Sequence, residues 1–221
     1  GGKQHDNPQP LKAAHLIMAT ITPPSPLPLR SVRWQLNTPT QVNRSEWTGA
    51  RQAVIIAGAA RWSASGEMKP IIKQSNAERW QAFFIALRGQ ANVFQLRAVE
   101  AQQTASANPT VNGGSQTGNT LNLTGLSGSV ASTFLPAGSK MTIPFSDGTC
   151  QLVVLTSALV VGASTTGTAT IEPRLRKSPA NAATVEVQYP YALMALTSDV
   201  TGWTVDRGQL YGFAFEAEEA F

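Results

Sequence analysis

The chain has 221 residues, of which 42% are hydrophobic and 14% are charged, so it can bury a core and does not have the composition of a disordered chain. The net charge is only +4 and no run of five like charges exists, which argues against a dedicated nucleic-acid binder. No segment reaches the ~18 apolar residues of a transmembrane helix, and residues 1–17 lack the apolar stretch of a secretory signal. We therefore expect a soluble protein whose charge-poor surface is partly covered by partners.

The N-terminal residues are predicted to lie outside the core. Residues 1–22 are expected to form a flexible extension. The segment that follows is rich in proline, which fixes φ and removes backbone donors, so it should be extended. It is either a plain linker or an arm that contacts an adjacent subunit, and the candidate inter-subunit residues are Pro23, Pro24, Pro26, Leu27, Pro28 and Leu29.

Alternation of apolar and polar residues predicts the first strands. Residues 31–37 alternate strictly, as expected of a half-buried strand. Two more strands are predicted at 52–57 and 59–63, with a bend or bulge at Gly58 between them. An extended segment follows at 67–72.

A helix is predicted at about 76–88. Ser75 and Glu78 have the spacing of a capping box, and Gly89 stands where a glycine commonly ends a helix. Four apolar residues follow at helical spacing on one face: Trp80, Phe83, Phe84 and Leu87. This face is expected to pack on a sheet rather than bind a ligand, and a strand at 92–97 follows it.

The composition changes after Glu100. Residues 101–133 are dominated by small and polar types, and evenly spaced short strands are predicted at 120–124, 140–144, 150–156, 168–172 and 185–189. Such spacing is typical of a small barrel or sandwich. We predict that residues 101–188 form an inserted β domain with its own core: Leu121, Leu123, Leu135, Met141, Ile143, Leu152, Val154, Ile171, Val185 and Val187.

The two flanks of this insertion are predicted to form one domain. Strand 92–97 precedes the insertion and strand 191–197 follows it, so we expect them to be neighbours in one sheet, with a last strand at 210–215. The predicted fold is mainly β: an antiparallel β-sandwich-like domain (23–100 plus 189–221) with one packed helix, interrupted by a small β-barrel or sandwich domain. Its predicted core is Val32, Trp34, Leu36, Val54, Ile56, Trp62, Trp80, Phe84, Leu87, Phe94, Leu96, Phe213 and Phe215.

Catalytic and metal-binding patterns are not found in the sequence. The two histidines, His5 and His15, lie in the N-terminal tail, so a nucleophile elsewhere has no histidine base. Cys150 cannot form an internal disulfide or a metal cluster alone and is predicted to be a small buried hydrophobe. Glu46 and Glu67 could in principle pair for glycoside hydrolysis, but nothing in the sequence brings them together. We predict no enzymatic activity, no cofactor and no metal.

Several motifs resemble the distal tail proteins, or tail-tip ring proteins, of long-tailed (siphovirus-like) bacteriophages. The motifs are Arg44–Gly49 with Ala60–Trp62, the run from Pro70 through Trp80 to Gly89 and Phe94, "LPAGS" at 135–139 with "EPRLR" at 172–176, and the segment from Gly202 to Glu219. They cover most of residues 30–221. The polar segment 101–118 and residues 1–17 depart from the family pattern.

This resemblance implies a structural virion protein at the tail tip. Such proteins form a homo-oligomeric ring, commonly a hexamer, between the tail tube protein and the tail-tip hub protein of the baseplate. The implied partners are therefore further copies of the chain and these two tail proteins. Tail assembly would take place in the host cytoplasm, with no reaction performed and no membrane insertion.

A ring of this kind would leave a channel through which DNA passes transiently and without sequence preference. Lysine or arginine in the lumen would bind phosphates, so acidic groups are expected there. The candidate lumen-facing acids are Glu216, Glu218 and Glu219, unless they form a solvated terminus. The alternative function is a carbohydrate-binding module for host-surface adhesion, carried by the inserted domain, which would hold glycan through Tyr189, Tyr191 or Trp203, unless these aromatic residues pack in a core.

Overall fold

The computed structural model describes residues 18–56 and 58–221, and these form a mainly β protein in which one α-helix packs on the larger of two main sheets. The predicted mainly-β fold is thereby confirmed. His5 and His15 lie outside the described residues.

The larger sheet contains six strands drawn from both ends of the chain. In spatial order the strands are β1 (Thr20–Ile21), β6 (Val93–Arg97), β14 (Tyr191–Leu196), β17 (Ala214–Glu219), β5 (Arg61–Met68) and β2 (Leu29–Asn37). Apart from the parallel pair β1–β6, neighbouring strands are antiparallel. β6 pairs with β14, with Tyr191 opposite Arg97 and Ala195 opposite Val93, so the prediction that strands 92–97 and 191–197 are neighbours is confirmed.

The helix α1 (Gln74–Ala86) covers one face of this sheet. Its predicted apolar face is confirmed, because Trp80, Phe83, Phe84 and Leu87 are all buried. Phe84 stacks on Phe213 of the sheet with ring centroids 5.7 Å apart.

The predicted start of the helix is wrong. Lys73 is the N-cap and makes no side-chain capping bond, so Ser75 lies inside the first turn. The Glu78 carboxylate accepts a hydrogen bond from Gln74 Nε2 at 2.9 Å instead of completing a capping box. After the helix, Arg88 and Gly89 both adopt positive φ and turn the chain toward β6.

The inserted segment forms a second body. Its strands are β7 (Thr110–Val111), β8 (Gly118–Thr124), β9 (Thr133–Leu135), β10 (Lys140–Pro144), β11 (Cys150–Leu155), β12 (Leu159–Val160) and β13 (Thr166–Leu175). The main sheet has the order β10-β11-β13-β8-β7, and β9 and β12 form a separate pair. Backbone bridges from Thr110 to Thr184 and from Thr142 to Glu186 join the two outer strands through residues 184–186. The predicted strand 185–189 is therefore present only as these bridges.

Strand β11 contributes to two cores. Val153 and Leu155 face the core of the insertion, whereas Leu152 and Val154 pack against the core beneath α1. Alternate residues of a strand point to opposite sides, and β11 lies between the two bodies. The prediction that Leu152 and Val154 belong to the insertion's own core is therefore wrong.

A buried ion pair joins the same two bodies. Arg176 Nη2 donates to Glu219 Oε2 at 2.5 Å and to the Ala60 carbonyl at 2.6 Å, and the two charged side chains are 6% and 0% exposed. The same carboxylate accepts bonds from the backbone N–H groups of Trp62 and Leu152. In addition, Trp62 Nε1 donates to the Leu152 carbonyl at 2.8 Å. These bonds satisfy the Glu219 carboxylate and connect the insertion to the sheet. Arg176 Nε and Nη1 are buried without a hydrogen-bond partner, and the guanidinium lies 3.9 Å from the centroid of the Phe221 ring.

Two hairpins leave the larger sheet. One is formed by β3 (Thr40–Arg44) and β4 (Arg51–Ile55), the other by β15 (Thr204–Asp206) and β16 (Leu210–Gly212). The predicted strand 52–57 corresponds to β4, although Ala57 lies outside the described residues. The predicted burial of Val54 and Ile56 is wrong: these side chains are 52% and 51% exposed, because the first hairpin projects from the body.

Candidate functional site

The proline-rich arm lies on its own chain. Thr20 and Ile21 pair with β6, so the prediction of a flexible extension is wrong for these two residues. Pro23 and Leu27 pack beside the aromatic residues of α1, and Leu29 is the first residue of β2.

The rest of the arm is fixed by the backbone. The Pro28 carbonyl accepts a hydrogen bond from Lys69 N–H at 2.7 Å. Pro24 is half-buried, whereas Pro26 is exposed. A contact between the arm and an adjacent subunit stays a prediction, and it would involve the exposed turn at Pro26.

The three candidate lumen acids do not share one environment. Residues of β17 alternate between its two faces, and Glu219 points inward together with Phe215 and Ala217. The prediction that Glu219 faces a lumen is wrong, because its carboxylate is fully buried beside Arg176. Glu216 is exposed, and Glu218 lies 3.4 Å from the Arg61 guanidinium at a half-exposed position.

The three aromatic residues proposed for glycan binding do not form one platform. Tyr191 begins β14 and Tyr189 lies just before it, whereas Trp203 lies beyond the opposite end of that strand. The Arg97 guanidinium covers the Tyr189 ring at 4.8 Å from its centroid. Trp203 packs near Phe213, with ring centroids 6.4 Å apart.

Chemically reactive groups are dispersed through the described residues. Burial raises the pKa of the Cys150 thiol to about 12, so this cysteine is a neutral, enclosed side chain. Glu46 lies in the exposed turn between β3 and β4, and Glu67 lies near the far end of β5, 3.3 Å from Arg30. Residues 18–56 and 58–221 contain no group of three metal-ligating side chains, and none of their helices is long and apolar enough to cross a membrane.

The hairpin β3–β4, which we term the projecting hairpin (residues 40–56), is the most exposed ordered element. Every residue of this segment is exposed. Its turn is closed by hydrogen bonds from Ser45 N–H to the Ala50 carbonyl and from Gly49 N–H to the Ser45 carbonyl. Sequence reasoning missed β3, although Thr40–Arg44 alternates weakly between polar and apolar residues and the turn contains Gly49.

Three features of the projecting hairpin indicate a binding element. Trp47 in the turn is 97% exposed, and Val42 and Ile55 lie on one face of the pair. Arg44 lies directly opposite Arg51, a like-charge cross-strand pair that destabilises an isolated hairpin. Because a lone two-stranded hairpin is marginally stable in water, an apolar tip of this kind is best explained by a partner that covers it.

A groove lies beside strands β2 and β5, toward the end of this strand pair that is farther from the projecting hairpin. It is a cavity of about 530 Å³ whose lining includes Phe84, Leu196 and Phe215. Arg33 and Glu216 also border it, but strand alternation places their side chains on the opposite face of the sheet from Phe215. We term it the β2–β5 groove, defined by the residues Ser31–Arg33, Ser65–Glu67, Phe84, Leu196–Ser198, Val200–Gly202 and Ala214–Glu216.

The groove and the hairpin are well separated along β2. The hairpin follows Asn37, which pairs with Arg61, whereas the groove lies beside Ser31–Arg33 of β2 and Ser65–Glu67 of β5. At ~3.3 Å per residue, Asn37 is about 13 Å from Arg33, the nearest residue of the groove on β2. The chain therefore carries a projecting element at one end of the sheet and a recess at the other.

Gly66 makes close packing possible within this region. A Cβ atom at this position would lie 2.4 Å from the Phe215 ring. Only glycine therefore leaves room for the end of the Phe215 ring against β5, next to the groove.

Comparison with protein-family models and with curated proteins finds no match to this chain. The resemblance to distal tail proteins therefore rests on the sequence motifs. Function is inferred below from the projecting hairpin, the groove and the way the sheet positions them.

Proposed function

We propose that this protein is a structural subunit that assembles into a closed ring at the distal end of a phage tail. The ring connects the tail tube protein to the tail-tip hub protein and leaves a channel for DNA. The observation that carries the proposal is the projecting hairpin, whose exposed Trp47, Val42 and Ile55 offer apolar surface to a partner.

The positions of hairpin and groove support a ring in particular. When one surface of a subunit binds a different surface of the next, the contact repeats head to tail and either closes into a ring or continues as a filament. A projecting element and a recess at opposite ends of one strand pair provide two such surfaces. A two-fold dimer would instead need one surface that binds itself.

The tail-protein motifs coincide with these elements. Arg44–Gly49 is the end of β3 and the turn of the projecting hairpin, and the run from Pro70 to Gly89 contains α1. The segment from Gly202 to Glu219 contains β17, which borders the groove. Two of the motif regions thus contribute to the hairpin and to the border of the groove, whereas the motifs at 135–139 and 172–176 lie in the inserted segment.

Native mass spectrometry of the purified protein tests this proposal. The wild-type chain is expected to form a closed oligomer, six copies if the tail-protein resemblance holds. Replacement of residues 40–56 by a short Gly/Ser linker should give a monomer with an unchanged circular dichroism spectrum. Ile85→Ala is a matched control, because Ile85 is 60% exposed on α1 and lies outside the hairpin. A wild-type chain that stays monomeric at every concentration would contradict ring assembly.

A further inference from the structure

The turn between β7 and β8 presents an asparagine followed by a glycine to solvent. Asn112 and Gly113 come directly after β7, and both residues are exposed. Asn112 is the one asparagine of the sequence that precedes a glycine. The hydrogen bonds that Asn112 makes within the described residues involve its backbone N–H and carbonyl, so its side-chain amide is free to react.

This pair of residues supports a reaction that needs no enzyme and consumes only water. When the backbone nitrogen of Gly113 gives its proton to a base, that nitrogen can attack Cγ of Asn112 and close a five-membered ring. The Cγ–Nδ2 bond breaks, the amide nitrogen takes up a proton and leaves as ammonia, and a cyclic imide remains. Water then opens the imide at either carbonyl, which converts residue 112 to aspartate or to isoaspartate.

Glycine at position 113 leaves the attacking nitrogen accessible. A Cβ atom built at Gly113 would have no atom within 4 Å apart from its chain neighbours, so the space beside this peptide group is open. Glycine also rotates more freely than any other residue, which favours the backbone rotation that ring closure requires. The local geometry of the turn is therefore permissive for this reaction.

Hydrogen bonds to two side chains oppose ring closure in the folded chain. Gly113 N–H donates to Asn181 Oδ1 at 2.9 Å, so the attacking nitrogen must first lose this bond. Gln116 Nε2 donates to the Asn112 carbonyl at 3.0 Å and to the Gly113 carbonyl at 2.9 Å. Asn181 is exposed and Gln116 is half-exposed, and surface bonds of this kind open locally without unfolding of the core. The reaction is therefore slowed by the fold but not prevented.

We propose that Asn112 is a site of spontaneous deamidation, and that Asn181 and Gln116 set its rate by holding the turn. The reaction places a negative charge at residue 112. Isoaspartate also adds one carbon to the main chain, which disturbs the bond from the residue 112 N–H to the Asn122 carbonyl, 2.9 Å long, where β7 meets β8. This inference is independent of the proposed function, because the turn belongs to the inserted body.

Peptide mass spectrometry of the full-length chain after incubation tests the proposal. The peptide that contains residue 112 should gain the mass difference between an amide and a carboxylic acid, and the rate should rise with pH because the Gly113 nitrogen must lose its proton. Asn112→Gln should abolish the gain, because the longer side chain cannot close a five-membered ring. Asn76 is an internal control, since it is exposed on α1 but precedes Ala77, and its peptide should stay unchanged.

Substitutions at position 181 test the restraint. Asn181→Ala removes the acceptor of the Gly113 N–H and should raise the rate by roughly 2- to 10-fold, the factor that corresponds to the loss of one net hydrogen bond. Asn181→Asp keeps an acceptor there and should not raise it. The wild-type chain unfolded in urea should react faster than the folded Asn181→Ala chain, because it also lacks the bonds of Gln116.

The outcomes separate the site from its control. A folded wild-type chain that shows no mass gain at residue 112, or that reacts as fast at Asn76, would overturn the site. Equal rates in the wild type, in Asn181→Ala and in urea would show that the turn does not restrain the reaction and would overturn the role of Asn181 and Gln116.

Discussion

Trp80 tests the core at the scale of a single residue. Its ring is 4% exposed and packs against Phe83 and Phe84, with centroids 5.6 and 6.3 Å away. Trp80→Ala should lower the free energy of unfolding by ~3–5 kcal/mol in urea denaturation, because it leaves a cavity. The exposed Ile85→Ala should cost less than ~1 kcal/mol. Equal losses in the two variants would show that Trp80 is not a core residue.

Arg176 tests the buried ion pair. Arg176→Ala leaves the Glu219 carboxylate buried without its cation, so we expect a loss of ~3–5 kcal/mol in the free energy of unfolding. Arg30→Ala is the control, since the Arg30–Glu67 pair is 66% and 55% exposed and should contribute at most ~1 kcal/mol. If both variants unfold at the same urea concentration, the buried pair does not stabilise the junction.

Cys150 provides a chemical probe of the same junction. Its pKa of about 12 is caused mainly by burial and is raised further by the charge of Glu219. At about pH 8 the folded thiol stays protonated, whereas an exposed cysteine is already partly ionised. Alkylation should be slower in the folded chain than in urea by roughly three powers of ten, the ratio of the two thiolate fractions. Equal rates would show that the junction is open.

At the scale of elements, the sequence predicted those parts that depend on local periodicity. The apolar face of α1 and the alternation in β2 were sufficient to predict these two elements, because helical and strand periods are set by residues that are close in the sequence. The start of α1 was not predicted, because Gln74 and Ser75 are already helical and the Glu78 carboxylate accepts a hydrogen bond from Gln74 instead of forming a capping box. The apolar residues of β4 are typical of a buried strand, so its sequence predicted burial. Val54 and Ile56 are nevertheless exposed, because β4 pairs with β3 only and this hairpin projects from the larger sheet.

Removal of the inserted body tests whether assembly and stability depend on it. Hairpin and groove both lie outside residues 103–187, so replacing that segment with a Gly/Ser linker should leave assembly intact. The same change removes Leu152 and Arg176, which uncovers Trp62 and leaves Glu219 unpaired, so thermal stability should fall. Adding Glu219→Gln should recover part of the loss. A truncated chain as stable as the wild type would show that the junction contributes nothing.

The isolated insertion should fold by itself. Its core contains its own apolar cluster, including Leu121, Met141, Ile171 and Val187, and backbone bridges join the outer strands of its sheet. Residues 101–188 expressed alone should therefore unfold cooperatively in urea, as measured by circular dichroism. A gradual, non-cooperative loss of signal would indicate that this body depends on the larger sheet.

At the scale of the whole molecule, the sequence indicated assembly but not the surfaces that perform it. Low charge and a run of acids near the C-terminus suggested partners and a channel. Glu216 is exposed and Glu219 is buried, because the two residues fall on opposite faces of β17. The ion pair of Glu219 could not be predicted, because its partner Arg176 is distant in the sequence. The groove combines residues from β2, β5, β17 and the loop after β14, a combination that no local pattern contains.

The central claim is that this chain forms a ring at the tip of a phage tail, and electron microscopy of tailed particles that carry a tagged copy tests it most directly. The tag belongs in the exposed turn after Asp206, on the hairpin β15–β16, which is separate from the projecting hairpin. We predict gold label in a single ring at the distal end of the tail, and no label on particles supplied only with the chain that lacks residues 40–56. Label along the tail tube, on the capsid, or absent from particles altogether would contradict the account.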